Sequence, residues 1–207
     1  LGRVLFYDKN LSSNNTISCS SCHIQANAFS DDAIASDGVN GTTTRHSMRL
    51  INSRFSNERK FFWDERATTL ELQTSDPIKN HIGIGYYKEL FKYVYGSEEI
   101  TETKLQLALA QFIRSIQSFD SKYDAGRALV QNENQPFSNF TAQENQGKNL
   151  FLTPPVFDAN GVRTSGGFGC AGCHAPPEFD IDPNTRNNGV IGVLNGPGID
   201  ITNTKAP

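Results

Sequence analysis

Cys-x-x-Cys-His is the pattern that most constrains this 207-residue chain, and it occurs twice, in "TISCSSCHIQ" (16–25) and in "FGCAGCHAP" (168–176). All four cysteines fall inside these two motifs. Two thiols about one helical turn apart reach the two vinyl groups on one edge of a porphyrin. The imidazole that follows then swings under the ring and ligates iron as the proximal ligand. On this reading Cys19, Cys22 and His23 hold one covalently attached haem c, and Cys170, Cys173 and His174 hold a second.

Other uses of paired cysteines fit less well. A single four-cysteine zinc site would join pairs 151 positions apart and leaves the histidine after each pair unexplained. A thioredoxin-like redox pair wants a strand before a helix in a βαβ setting, which the sequence lacks. A disulfide within each three-residue span would be strained. Haem c is attached outside the bacterial cytoplasm, so an exported, periplasmic location is expected.

Composition narrows the class further. A net charge of −3 with 20% charged residues shows no basic excess for nucleic acid or anionic lipid. No run of 18 apolar residues is present to span a membrane as a helix. The chain opens on Leu1 without a signal peptide and ends in "ITNTKAP", so it is expected to continue beyond Pro207.

An internal repeat marks two modules. "GRVLF" (2–6) precedes the first haem motif by 17 positions, and "GKNLF" (147–151) precedes the second by 23. Glycine and phenylalanine lie four apart in each, on one helix face. The glycine lets another helix approach, and the phenylalanine can pack against haem. "TAQE" supplies a capping box through Thr141 and Glu144. The strongest helical pattern runs over 101–119, with Leu105, Leu109, Phe112, Ile113 and Ile116 as its buried stripe and Gly126 as a later stop. Residues 181–203, rich in Asn, Gly and Pro, read as a long loop. The expected class is mainly α: two cytochrome-c-like haem domains with long loops and little or no β-sheet. The first domain spans 1–130, a linker 131–140, and the second 141–207.

The ordered set "LGRVLFYDKNLSSNNTISCSSCH", "FFWDERATTLELQ", "ALAQFIRSIQSFDSKYD" and "GCAGCH" resembles the bacterial dihaem cytochrome c peroxidase and MauG family, over nearly the whole chain. The resemblance implies periplasmic proteins of two haem domains that reduce hydrogen peroxide to water. Electrons come from a small cytochrome or cupredoxin, enter at the second haem, and meet peroxide at the first. It places Trp63 between the haems, as an electron relay or as a core aromatic. Asp64 and Arg66 then orient groups around it or pair with each other at the surface. It also implies a calcium ion between the domains, with Asn52 as its side-chain ligand; oxygen donors suit that hard cation.

Two positions depart from the family pattern. Asp37, in "ASDGVNG", aligns with the family's distal histidine, and aspartate is a poor ligand for low-spin haem. Gly83 stands where the family's proton-shuttling glutamate belongs, with Ile84 in place of the usual methionine. Lys79, His81 and Asp37 are the candidate substitutes, with His81 the best proton donor near neutral pH. His46, His81 and Met48 are the remaining residues able to ligate iron, or else to serve as surface or supporting groups. The leading expectation is a dihaem peroxidase. The alternatives are a non-catalytic dihaem electron carrier and a MauG-like oxidase that works through high-valent iron.

Overall fold

A computed structural model describes residues 1–57, 59–63, 65–75, 84–181, 193–195 and 198–200. His81, Gly83, Lys79, Asp64 and the "TKAP" end lie outside the described residues. Among those described, helices dominate and every sheet has only two strands, as the mainly α expectation requires.

The chain forms two compact units. Among the described residues, one takes in 1–54 and 59–117 together with 193–195 and 198–200, the other 55–57 and 118–181. In the first, α1 (Gly2–Tyr7), α3 (Leu70–Ser75) and α4 (Lys88–Tyr95) gather with α5 (Glu102–Arg114), and α1 and α3 pack directly on α5. The expected stripe is the core: Leu105, Leu109, Ile113 and Ile116 are buried alongside Leu5, Phe6, Leu70, Tyr87 and Phe91. Phe112 is partly buried against the same cluster. Gly2 explains how α1 approaches so closely. A β-carbon there would stand 1.9 Å from the Ala108 carbonyl oxygen. An ion pair of 2.6 Å between Arg114 and Glu71 ties α5 to α3.

Helix α5 starts as expected, with Thr101 capping the Lys104 amide. It ends at Arg114, five residues before the expected 119. Ser115 donates its hydroxyl to the Phe112 carbonyl at 2.6 Å, a local bond that competes with continued helix. Ser121 then opens a separate helix, α6 (Lys122–Arg127), through a capping box with Asp124. Gly126 therefore lies inside α6 and stops nothing. Its missing side chain makes room for Phe137 and Asn139, whose atoms a β-carbon would meet at 2.6 and 2.4 Å.

The second unit holds α6, α7 (Ala142–Leu152) and two hairpins, β3–β4 (Pro155–Phe157 with Arg163–Gly166) and β5–β6 (His174–Ala175 with Asp180–Ile181). Helix α7 opens on the expected Thr141–Glu144 capping box. Its Lys148 is buried and donates to the Glu133 and Gln135 carbonyls, which fastens residues 133–137 to the helix. Residues 193–195 and 198–200 pair as antiparallel strands β7 and β8, inside the segment expected to be loop. The sequence does carry a signal for them: short apolar runs, Val193–Leu194 and Ile199, flank an Asn-Gly-Pro-Gly stretch.

Candidate haem-binding sites

The first motif is a single helical turn, α2 (Cys19–Cys22), with Ser18 and Ser21 forming a capping box across its start. The turn places Cys19 and Cys22 one helical repeat apart, both as free thiols. Burial pushes the Cys19 thiol up to about 11, so it stays protonated. Burial also raises Cys22, against the lowering effect of the Ser36 hydroxyl. The Cys22 sulfur lies 3.8 Å from the Asp37 carbonyl oxygen.

His23 caps the turn. Its Nδ1 lies 3.0 Å from the Phe29 carbonyl oxygen, which can only accept, so Nδ1 carries the proton. That tautomer leaves Nε2 with its lone pair, as an iron ligand needs, and the carbonyl makes the ring more basic. Burial holds the His23 pKa below the usual histidine range, although the Phe29 and Met48 carbonyls pull the other way. Phe6, four residues after Gly2, is buried; its ring lies 6.5 Å from the His23 ring, 6.1 Å from Phe29 and 5.0 Å from Phe112. Two thiols, one poised imidazole and an apolar wall make a donor set that fits haem c.

The remaining candidates sort around this turn. The Trp63 indole N–H donates to the His46 carbonyl oxygen at 2.8 Å. The tryptophan is thereby tied to the segment 46–48, whose Met48 carbonyl acts on His23. Its loop is closed by a bridge between Phe61 and Ala67, with Phe62 and Glu65 in left-handed backbone at φ 69° and 55°. Non-glycine residues occupy that region only where surrounding structure holds them. Arg66 is exposed and lays its guanidinium over the Phe62 ring at 3.4 Å. Both His46 ring nitrogens have protein partners, Ala33 O at 2.7 Å and Ser30 Oγ at 3.0 Å. His46 thus braces the loop. Asp37 is exposed on the two-residue strand β1 (Asp37–Gly38), paired with β2 (Gly41–Thr42). Asn52 sits in left-handed backbone, its amide donating to the Ile116 carbonyl at 3.0 Å.

The second motif is built differently. Cys170–Gly172 form a 3-10 turn entered through Gly169 at φ 67°. Gly167 lets this loop run flush along the end of α7, where a β-carbon would meet the Leu150 and Thr153 carbonyls at 2.4 Å. Cys173 and His174 are exposed, and His174 pairs with Ile181 across β5–β6. Two free thiols three apart and an adjacent imidazole again match haem c. Beside them lies an aromatic layer that no spacing in the sequence announces. Phe151 meets Phe179 at 5.6 Å, Phe179 meets Tyr123 at 4.9 Å, and Tyr123 meets Phe137 at 5.2 Å. The Tyr123 hydroxyl is buried and finds no hydrogen-bond partner among the described residues. An unsatisfied buried hydroxyl costs about 1–3 kcal/mol.

Helical architecture and two Cys-x-x-Cys-His donor sets define a c-type haem protein. The family model for di-haem cytochrome c peroxidase matches residues 1–86 and 83–134. The chain belongs to that family. It is 30% identical to cytochrome c551 peroxidase of Nitrosomonas europaea, over 86% of this chain and 51% of that protein. It is 28% identical to the methylamine utilization protein MauG of Methylorubrum extorquens, over 88% of this chain and 50% of that protein. Among solved structures, a MauG-like protein associated with microbial copper homeostasis matches with a TM-score of 0.61 and 27% identity, covering 90% of this chain and 55% of that one. The chain thus spans about half the length of the curated relatives it matches.

Proposed function

We propose that this protein is a periplasmic dihaem oxidoreductase that reduces hydrogen peroxide to water with electrons from a small redox protein, a cytochrome or cupredoxin. The observation that carries the reading is the first attachment turn: free thiols at Cys19 and Cys22, with an imidazole whose Nδ1 is committed to Phe29 and whose Nε2 is left for iron. Membership of a family described by its peroxidase activity supports it.

When bound, haem supplies iron-centred electron transfer and the site where peroxide reacts. The chain's own residues supply the rest. Cys19, Cys22 and His23 fix the first haem, Cys170, Cys173 and His174 the second, one in each compact unit. Trp63, held by its bond to His46, serves as the relay toward the first haem. Arg66 supports that loop from Phe62. His81 and Asp37 are the groups proposed to move a proton at peroxide, in place of the family glutamate. A positioned acid–base group is worth about 10²- to 10⁴-fold in rate. Asn52 is proposed as the side-chain ligand of a calcium ion, an oxygen donor for a hard cation.

Gly83 favours a second reading, a dihaem electron carrier without catalysis, because no carboxylate stands at the glutamate position. Steady-state peroxide consumption by the full-length, haem-loaded protein, with a reduced small redox protein as donor, separates the two. Turnover well above that of free haem supports the peroxidase. Turnover no faster than free haem, with both haems attached, leaves the electron carrier. Oxidation of a partner protein in place of the donor would assign a MauG-like oxidase.

A further inference from the structure

We infer that Tyr123 is a cofactor-binding residue of the second site: its phenol donates a hydrogen bond to a carboxylate of the haem held by Cys170, Cys173 and His174. This rests on the dihaem reading above and extends it to a residue outside both attachment motifs.

Three observations converge on the hydroxyl. It is buried, and among the described residues nothing accepts its proton. Its ring is the third member of the aromatic layer beside the attachment loop, edge-on to Phe179 at 4.9 Å. Phe179 is itself anchored there, its amide donating to the Ala175 carbonyl at 2.9 Å, one residue past the iron ligand His174. Burial, followed by the nearby charge of Glu133, raises the Tyr123 pKa above the usual phenol range, so the group stays a donor. A buried donor seeks an acceptor. A propionate carboxylate is the strong acceptor that a haem brings to such a layer, and a charged acceptor makes the shorter, stronger bond. Helix α6 holds the ring in place: Ser121 and Asp124 cap its start, and Gly126 admits Phe137, whose ring meets Tyr123 at 5.2 Å.

The bond has an electronic consequence. A donor on the propionate offsets its negative charge, and so favours ferrous over ferric iron at that haem. Tyr123→Phe keeps the ring and its packing and removes only the donor.

The test uses the full-length, doubly haem-loaded protein. The second haem is identified as the one lost in a Cys170→Ala/Cys173→Ala variant. Redox titration and resonance Raman spectra are then compared for wild type, Tyr123→Phe and a control, Tyr95→Phe. The control removes a hydroxyl that already has a partner, the Lys104 carbonyl at 2.8 Å. In Tyr123→Phe the expected result is a lower midpoint potential and a shifted propionate-bending band for the second haem. The first haem should be unchanged, and Tyr95→Phe should move neither signal. A second-haem potential and propionate band that stay at wild-type values would overturn the inference, and would leave the hydroxyl to a buried water. Because neither readout needs peroxide turnover, this result is separable from failure of the peroxidase reading. A protein that carries no haem at Cys170 and Cys173 would sink both.

Discussion

Residues 19–23 and 170–174 carry the same five-residue pattern, yet the two segments sit in unlike surroundings. The first is an α-helical turn backed by Phe6, Phe29 and Phe112, and its histidine is half-buried with Nδ1 already committed. The second is a 3-10 turn set flush on α7 by glycine, and its histidine is exposed. The five residues specify which cofactor is bound. What the iron ligand meets is set by neighbours far off in sequence. Under the proposed function, the half-buried, poised imidazole would serve the haem that meets peroxide, and the open attachment edge the haem that takes in electrons.

The helices that precede the motifs show the same contrast, and substitutions there break or sharpen it. Phe6→Ala should cost about 3–5 kcal/mol, because the ring is fully buried at the centre of the first unit. Phe151→Ala removes a half-buried ring that meets Phe179, and its cost should fall well below that. Thermal unfolding of the two holoproteins measures the difference; equal losses would mean that the second helix carries a core like the first.

Glycines at equivalent repeat positions should respond with opposite sign. Gly2→Val forces a side chain into the Ala108 carbonyl and should destabilise by about 1–3 kcal/mol. A β-carbon at Gly147 would meet no atom within 4 Å, so Gly147→Ala should stabilise α7 by about 0.5–1 kcal/mol. Denaturant midpoints for the two variants give the signs directly.

Trp63→Phe removes the bond to the His46 carbonyl, worth about 0.5–1.5 kcal/mol, and should lower stability only slightly. If the indole is the relay, electron transfer between haems should slow far more than that loss of stability suggests. Stopped-flow traces at matched folded fraction distinguish a relay from packing.

The smallest effect concerns pH, and it belongs to the second unit. Lys122, by a hydrogen-bonded ion pair, and then the Thr141 amide hold the Glu144 carboxyl down at about 2, from an ordinary 4.5. A depressed carboxyl stabilises the fold above its unfolded pKa and loses that effect as pH falls through the folded value. Between about pH 4.5 and 2 the capping box of α7 should therefore weaken. Glu144→Gln should flatten that part of an acid titration followed by circular dichroism.

Much of the fold and the site is legible in the sequence. Cys-x-x-Cys-His names its cofactor by residue type and spacing alone, the Leu105–Ile116 stripe has one period, and Thr141–Glu144 is a local cap, so each can be read from neighbours in the chain. The end of α5 cannot, because Ser115 stops the helix with a hydroxyl bond while the apolar period runs on to Ile116. Gly126 looks like a stop because glycine often ends helices; its use here, making room for Phe137, depends on a contact made by folding. The His23–Phe29 bond, the His46 brace and the Tyr123 layer join residues whose spacing carries no periodic signal. They become visible only when the chain is folded.

The most direct measurement is stopped-flow observation of the Soret band after hydrogen peroxide is added to full-length protein with its electron-entry haem reduced. Reoxidation in milliseconds, sustained when donor is supplied, is the expected result and establishes a peroxidase that works without the family glutamate. Slow or absent reoxidation, with both irons low-spin, would contradict it and make this an electron carrier on a peroxidase scaffold.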